Sequence, residues 1–222
     1  MPAPILHWRL DESSGFNAGD ASGNGFAGTY IGAAGIPGPS ALVAPLRSAN
    51  PASRAFDGAS RHAIQISPTP AGLKPATALT LSVWYRTTVL DSGHSGIPAS
   101  ELISFGDATI LRLRATDIEV TKRVAGDFIR CFGAVSGHLD GDWHHIAAVI
   151  GPSEISTYLD GTAICVLGTP NTSLVYDRGA DFFVGRHGNG GTIFDFSGNL
   201  DEVRIYDRAL SADEVRALAA GN

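Results

Sequence analysis

The sequence predicts an all-β sandwich or barrel. Three observations carry that reading: many short strand-like runs, turn residues between most of them, and one convincing helix at the C-terminal end. The first run, Ile5–Leu10, alternates so that Leu6, Trp8 and Leu10 share one face. Strand signals follow at 61–66, 79–86, 109–113, 118–124, 128–135, 143–150, 155–159, 163–167, 182–185 and 200–206. Glycine (27 residues) and proline (12) supply the punctuation that many tight turns need. The helix begins at Ser211, an N-cap with Glu214 three residues on to complete a capping box. Leu210 and Val215 are placed as a hydrophobic staple, and Gly221 lies just past the end. The stretch from Ala33 to Ser53 is rich in Ala, Pro and Gly and poor in charge, and reads as a long surface loop.

The 222 residues suit one large domain, taken here as residues 1–222, with enough apolar content (44%) to build a core. The formal net charge of −6 and the absence of a basic stripe argue against nucleic-acid binding. No apolar run reaches membrane-spanning length, and the N-terminal residues show no signal-peptide pattern. Cys131 and Cys165 both lie in apolar strand-like runs without metal-type spacing. Burial as free thiols is the reading favoured here, with a disulfide as the alternative.

Several blocks of sequence then point one way. They are Trp8-Arg9-Leu10-Asp11-Glu12 with Gly15; the run Asp20 to Gly25 with Gly28-Thr29; Phe56-Asp57-Gly58; Leu79 to Trp84; Trp143-His144-His145-Ile146-Ala147 with Tyr158-Leu159-Asp160-Gly161; and Gly198 to Ser211. In this order they resemble the laminin G-like branch of the concanavalin A-like lectin/glucanase superfamily, over nearly the whole chain. The resemblance implies a jelly roll of two antiparallel sheets and frequent calcium binding. It also implies use as an extracellular or appended module that binds carbohydrate or protein. Fold alone does not fix function.

The residues themselves suggest where calcium would sit. Alternation along the last strand puts Asp201 on the same inward face as Val203 and Ile205, with Glu202 and Arg204 paired on the other face. An inward carboxylate is costly without a cation or donors. The first strand carries Glu12 inward by the same rule. If the terminal strands pair antiparallel, Glu12 and Asp201 converge. Asp20 and Asn24 in the intervening glycine turn then complete a hard-oxygen set of Glu12, Asp20, Asn24 and Asp201 suited to calcium. The resemblance also favours that turn. The competing reading makes Asp20 and Asn24 caps of their own turn.

A catalytic role finds little support. The related glucanases carry a Glu-x-Asp-x-x-Glu strand that this chain lacks. The nearest substitute, Asp117 and Glu119 with Thr121, would be about 7 Å apart on one strand face and reads as a solvated polar surface without an aromatic platform. His144 and His145 point to opposite faces and cannot chelate together. The expectation is therefore a non-catalytic, calcium-binding, lectin-like module that binds carbohydrate. The alternative is a structural or protein-interaction module of a larger surface assembly, and a glycosidase or lyase accessory domain ranks below both. Ligand contacts are expected from loops, at His94 and at Arg186, His187 and Asn189 in the glycine-rich run 185–191. Trp84 and Trp143 lie in apolar strands and are expected in the core.

Overall fold

The computed structural model describes residues 3–93, 96–124, 126–191 and 193–222. Sixteen strands and one α-helix lie among the described residues. In chain order the strands begin with β1 (Leu6–Trp8), β2 (Asn17–Ala18), β3 (Gly28–Ile31), β4 (Gly38–Ser40), β5 (Ser53–Phe56) and β6 (Ala63–Ile66). Then come β7 (Leu79–Arg86), β8 (Ala99–Phe105), β9 (Thr109–Arg114), β10 (Asp117–Val124) and β11 (Asp127–Ala134). The series ends with β12 (His144–Ile150), β13 (Glu154–Leu159), β14 (Thr162–Gly168), β15 (Phe182–Val184), β16 (Gly198–Tyr206) and the helix α1 (Ala212–Ala219).

All pairings are antiparallel and form two eight-stranded sheets. The first runs β14-β13-β12-β7-β16-β5-β4, with β1 added to β16. The second runs β11-β10-β9-β8-β15-β6-β3-β2. The inner faces follow the period of two. Leu79, Leu81, Val83 and Tyr85 of β7 meet Leu111 and Leu113 of β9 and Ile118 and Val120 of β10 in one buried cluster. Trp8 is fully buried there and donates its indole N–H to the Phe26 carbonyl (2.8 Å), so its one polar atom is satisfied.

The terminal strands do pair antiparallel, Leu6 with Ile205 and Trp8 with Val203. The final strand, however, is not regular. The register of β16 against β7 shifts between Asp201 and Arg204, and Glu202 takes a φ of +52°. Leu200, Val203 and Ile205 all join the core, which requires one extra residue between the first two. This β-bulge overturns the expected alternation. Asp201 follows the inward Leu200 and therefore faces outward, under the segment that contains Ala44 and Asn50. Glu202 and Arg204 do pair, at 2.5 Å.

Three other expectations change. Ala33–Ser53 is not all loop: it contributes β4 and begins β5, and its remainder covers Asp201. Cys131 and Cys165 form a disulfide with Cα atoms 6.1 Å apart, because β11 and β14 end their respective sheets along the same edge of the sandwich. Trp84 is buried, but Trp143 is only half-buried. The helix forms as expected, with both reciprocal bonds of the Ser211–Glu214 capping box. Its Val215 and Leu218 close a second apolar cluster with Ala147, Val149, Tyr158, Tyr206 and Leu210 on the outer face of the first sheet.

Candidate functional site

The outer face of the second sheet has no such helix. There, alternation turns Ile110, Arg112 and Arg114 of β9, Glu119 and Thr121 of β10, and Phe128, Arg130 and Phe132 of β11 away from the core. Register then aligns them across strands. Arg112 stands between Glu101 on one side and Glu119 on the other, and Thr121 stands between Ile110 and Arg130. Arg112 donates from Nη2 (2.6 Å) and Nε (3.2 Å) to Glu101 Oε1, and from Nη1 to Glu119 Oε2 (3.2 Å). Glu119 also faces Arg130 Nε at 3.3 Å and accepts a hydrogen bond from the Thr121 hydroxyl at 3.2 Å. Asp117 lies to one side, paired with Arg114 at 3.4 Å.

His187 joins this network from the loop after β15. Its Nδ1 is 2.8 Å from Glu101 Oε1 and its Nε2 is 2.9 Å from Asp107 Oδ1. Burial alone would lower the imidazole pKa, but hydrogen bonds and charge from Asp107 and Glu101 outweigh it and raise the group to about 9. His187 is therefore cationic at neutral pH. The same hydrogen bond, opposed by burial, holds the Asp107 carboxyl below its usual range.

Two adjoining hollows open on this face, of about 260 and 210 Å³, and Arg112 and Glu119 line both. Phe194 packs over the Arg112 guanidinium at 4.1 Å and lines the smaller one. The expected solvated strand face is thus a groove floored by polar groups withdrawn from water: the carboxylates of Glu101 and Glu119 and the Thr121 hydroxyl are all buried. The sequence signal for it was the placement of Arg112 and Arg114 opposite Glu119 across one hairpin. Glu101, Phe128 and Arg130 went unread because register across four strands joins them, and Phe194 because the loop before β16 carries it there.

Of the expected loop contacts, only His187 is built into the groove floor. Arg186 bonds Asp195 (3.3 Å) and the Arg61 carbonyl, which anchors the loop. Asn189 is exposed; its Oδ1 accepts from Gly191 N (2.8 Å) and its Nδ2 reaches Asp107 at 3.4 Å. His94 lies outside the described residues. The glycines of this loop serve packing: a Cβ at Gly188 would collide with the Gly106 carbonyl.

The two histidines of β12 diverge as expected. His145 is buried with Nε2 2.9 Å from the Ser82 hydroxyl, and desolvation lowers its pKa to about 3, so it is neutral. His144 bridges Asp160 (2.8 Å) and Asp140 (3.2 Å), and its pKa is raised, chiefly by the bond to Asp160.

The four residues expected to share calcium do not meet. Asp20 is saturated: it accepts from His7 N (3.0 Å), Ser22 N (2.9 Å), Phe26 N (2.9 Å) and the Ser22 hydroxyl (2.8 Å). Burial would raise its pKa, but these donors hold it below the usual range. Asn24 donates to the Ile5 carbonyl (3.0 Å). Glu12 accepts from Gly19 N (2.7 Å) and the Tyr30 hydroxyl (2.8 Å), beside the buried Arg54 at 3.4 Å. Asp20 thus takes the turn-capping role that competed with the metal reading, Asn24 and Glu12 tie their segments to Ile5, Gly19 and Tyr30, and the bulge in β16 carries Asp201 to the other side of the sheet.

Asp201 nevertheless keeps one oxygen without a partner. It is 0% exposed; Oδ2 accepts from Ala44 N (3.0 Å) and Asn50 Nδ2 (2.8 Å), while Oδ1 accepts nothing. Desolvation first, then the charges of Glu202 and Asp11, push its carboxyl up to about 7. Asp11 Oδ1 and Asn50 Oδ1 are also buried without donors. Two carboxylates and an amide oxygen, all unsatisfied, fit the hard-oxygen chemistry of calcium. No cluster of three or more His, Cys, Asp or Glu forms a metal centre among the described residues, so Asn50 and backbone carbonyls would complete any such set.

Comparisons with known proteins agree with the fold. Domain 4 of AbnA, a GH43 extracellular arabinanase from Geobacillus stearothermophilus solved with arabinotriose, superposes with a TM-score of 0.70 at 19% identity, covering 97% of this chain and 98% of that one. The binding domain of Paraclostridial Mosquitocidal Protein 1 gives 0.68 at 15% identity. The binding domain of Botulinum neurotoxin DC, in complex with rat synaptotagmin II, gives 0.65 at 11% identity. This chain covers 97% and 98% of itself in those two matches but spans only about half of each toxin domain (51% in both). A search of curated proteins found no match. The family profile Laminin_G_3 matches residues 57–216, which is most of the sequence, and the chain therefore belongs to the concanavalin A-like lectin/glucanases superfamily.

Proposed function

We propose that this protein is a non-catalytic, lectin-like module that binds carbohydrate in the groove on the outer face of its second sheet. The observation that carries the reading is the groove itself. Buried polar side chains line a hollow large enough for a sugar ring, on a sheet face that no helix covers. Phe128, Phe132 and Phe194 supply the apolar surface that strand alternation alone had not revealed, and Phe132 is 48% exposed. The arabinotriose complex of the similar arabinanase domain supports a carbohydrate ligand.

Against catalysis stands Arg112. Its guanidinium fills the space between Glu101 and Glu119, where a glycosidase would place the scissile oxygen between its two carboxyl groups. Calcium has a structural role in this reading, held by Asp201, Asp11 and Asn50, where it would neutralise two neighbouring carboxylates and tie β16 to β1 and to the segment before β5. The Cys131–Cys165 disulfide and the extracellular enzyme that contains the similar domain support an oxidising, extracellular location.

A glycan array with and without chelator tests the reading. Wild-type protein is expected to retain a restricted set of glycans, and Thr121→Tyr, which fills the groove, to lose them while keeping its melting temperature within a few degrees. Glycan binding untouched by Thr121→Tyr would refute the location; release of reducing sugar by the wild-type protein would refute the non-catalytic role.

A further inference from the structure

Around Phe128 the groove holds more positive charge than its own acids neutralise. Three guanidiniums lie over this one ring: Arg123 at 4.8 Å from its centroid, Arg130 at 5.2 Å and Arg178 at 5.8 Å. Arg123 is spoken for, since its Nε is 2.9 Å from Asp177 Oδ1 and its Nη2 donates to Oδ2 at 3.2 Å. Arg130 spends only Nε on Glu119, at 3.3 Å, and is 47% exposed. Arg178 has no acidic side chain within ion-pair distance among the described residues. Four cations line the larger hollow (Arg112, Arg130, Arg178 and His187) against three acids that line or floor it (Glu101, Asp107 and Glu119), and the charge left over is that of Arg178.

This excess sits on a protein of net charge −6, so overall charge does not account for it. Crowded like charges destabilise the free state, and a partly enclosed hollow strengthens the attraction of an anion. The Nη donors of Arg130 and Arg178, which pair with no acid among the described residues, form two planar forks over one aromatic ring, which suits a carboxylate better than a point-charge site would. Glu119, Thr121 and Asp107 lie deeper in the same hollow and supply acceptors for hydroxyl groups.

We infer that the groove selects a sugar bearing a carboxylate, a uronic or sialic acid residue, with Arg130 and Arg178 taking the carboxylate and Glu119, Thr121 and Asp107 meeting the hydroxyls. The inference rests on the carbohydrate-groove reading and adds the ligand class to it.

Calorimetric titration with four probes tests it: trigalacturonic acid, 3′-sialyllactose, neutral arabinotriose and a heparin tetrasaccharide. One of the two carboxylated probes should bind best and so identify the source of the acid. Its affinity should fall about tenfold or more in Arg130→Ala and in Arg178→Ala, with unchanged melting curves. Arg→Lys at either position should restore only part of the loss, and the methyl ester of the same probe should bind no better to wild type than to the alanine variants. Neutral arabinotriose bound as tightly as the acids, with no effect of either arginine substitution, would overturn the inference and leave the groove reading standing. Heparin bound more tightly than either carboxylated probe would also overturn it, by showing undirected charge attraction. Failure of wild-type protein to bind any glycan, on the array or here, would overturn the groove reading as well.

Discussion

The outer faces of the two sheets are built from the same strand alternation and are finished in opposite ways. On the first sheet the outward row of β7 and β12 (Thr80, Ser82, Trp84, His145, Ala147 and Val149) is buried, with Ala147 and Val149 packed under α1 and the chain entering it. Most of its polar atoms find protein partners: the Thr80 hydroxyl donates to the Arg208 carbonyl at 2.8 Å, and Ser82 meets His145 Nε2 at 2.9 Å, while His145 Nδ1 is buried without one. On the second sheet the outward row is kept from water by its own ion pairs, and no second apolar layer sits above it. The first face therefore contributes mainly to stability. The second keeps charged groups fixed in position and open to a ligand, which is how a binding surface is preorganised.

That contrast predicts a division between stability and binding. Leu218→Ala removes packing from the helix-covered face and should cost about 2–5 kcal/mol, seen as a fall of roughly 5–15 °C in melting temperature. Arg130→Ala on the groove face should change stability by only about 0.5 kcal/mol while weakening ligand binding. Equal losses of stability from the two substitutions would break the comparison.

Asp201 also lies on the covered side but keeps one carboxylate oxygen without a partner, and pH sharpens the distinction. Its folded pKa of about 7 is raised above the ordinary aspartate value, so the stabilisation from its proton is fully present below about pH 4 and is lost as pH rises through 7. Metal-free protein should lose a few kcal/mol across that window, added calcium should remove most of the dependence, and Asp201→Asn should abolish it. Denaturant melts at pH 4.5, 6 and 8, with chelator and with calcium, check this. A metal-free protein equally stable at all three pH values would show that Asp201 is not desolvated as described.

The smallest effect is expected at His144, on the exposed rim. Its pKa is raised by Asp160 and Asp140, so its contribution is complete below about pH 6.5 and fades as pH rises through its folded value. Because both carboxylates are nearly half exposed, His144→Gln should cost no more than about 1 kcal/mol at pH 5.5 and nothing at pH 9. A larger loss, or one that persists at pH 9, would mean that His144 holds the hairpin by packing and not by charge.

Much of this architecture was legible from local pattern. Alternation in Leu79–Arg86 and the capping box at Ser211 and Glu214 rest on interactions within a few residues or on a single periodicity, whereas the pairing of Leu6–Trp8 with the last strand entered only as a condition and is fixed by the fold. β8 was missed because Ser100, Glu101 and Ser104 interrupt its apolar run; the two serine hydroxyls donate to backbone carbonyls of Asp195 and Arg186, partners some 80 to 95 residues away. The calcium set was misread for a related reason. One bulge residue at Glu202 reverses the face of Asp201, and nothing in Leu-Asp-Glu-Val marks the bulge, because it forms where the neighbour of β16 changes from β5 to β1.

The sequence by itself determined the β class, the core faces, the terminal helix and the superfamily. The first three follow from side-chain period, caps and turn chemistry acting along the chain, and the superfamily from the resemblance of whole blocks such as Trp8–Glu12 and Gly198–Ser211. Only the tertiary structure decided which outward faces are covered, that the two cysteines join the sheet edges, and that Glu101, Arg112, Glu119, Arg130 and His187 share one groove. Those facts depend on cross-strand register and on which distant segment arrives above each face, and the free energy that selects them is spread over contacts that no short stretch of sequence contains.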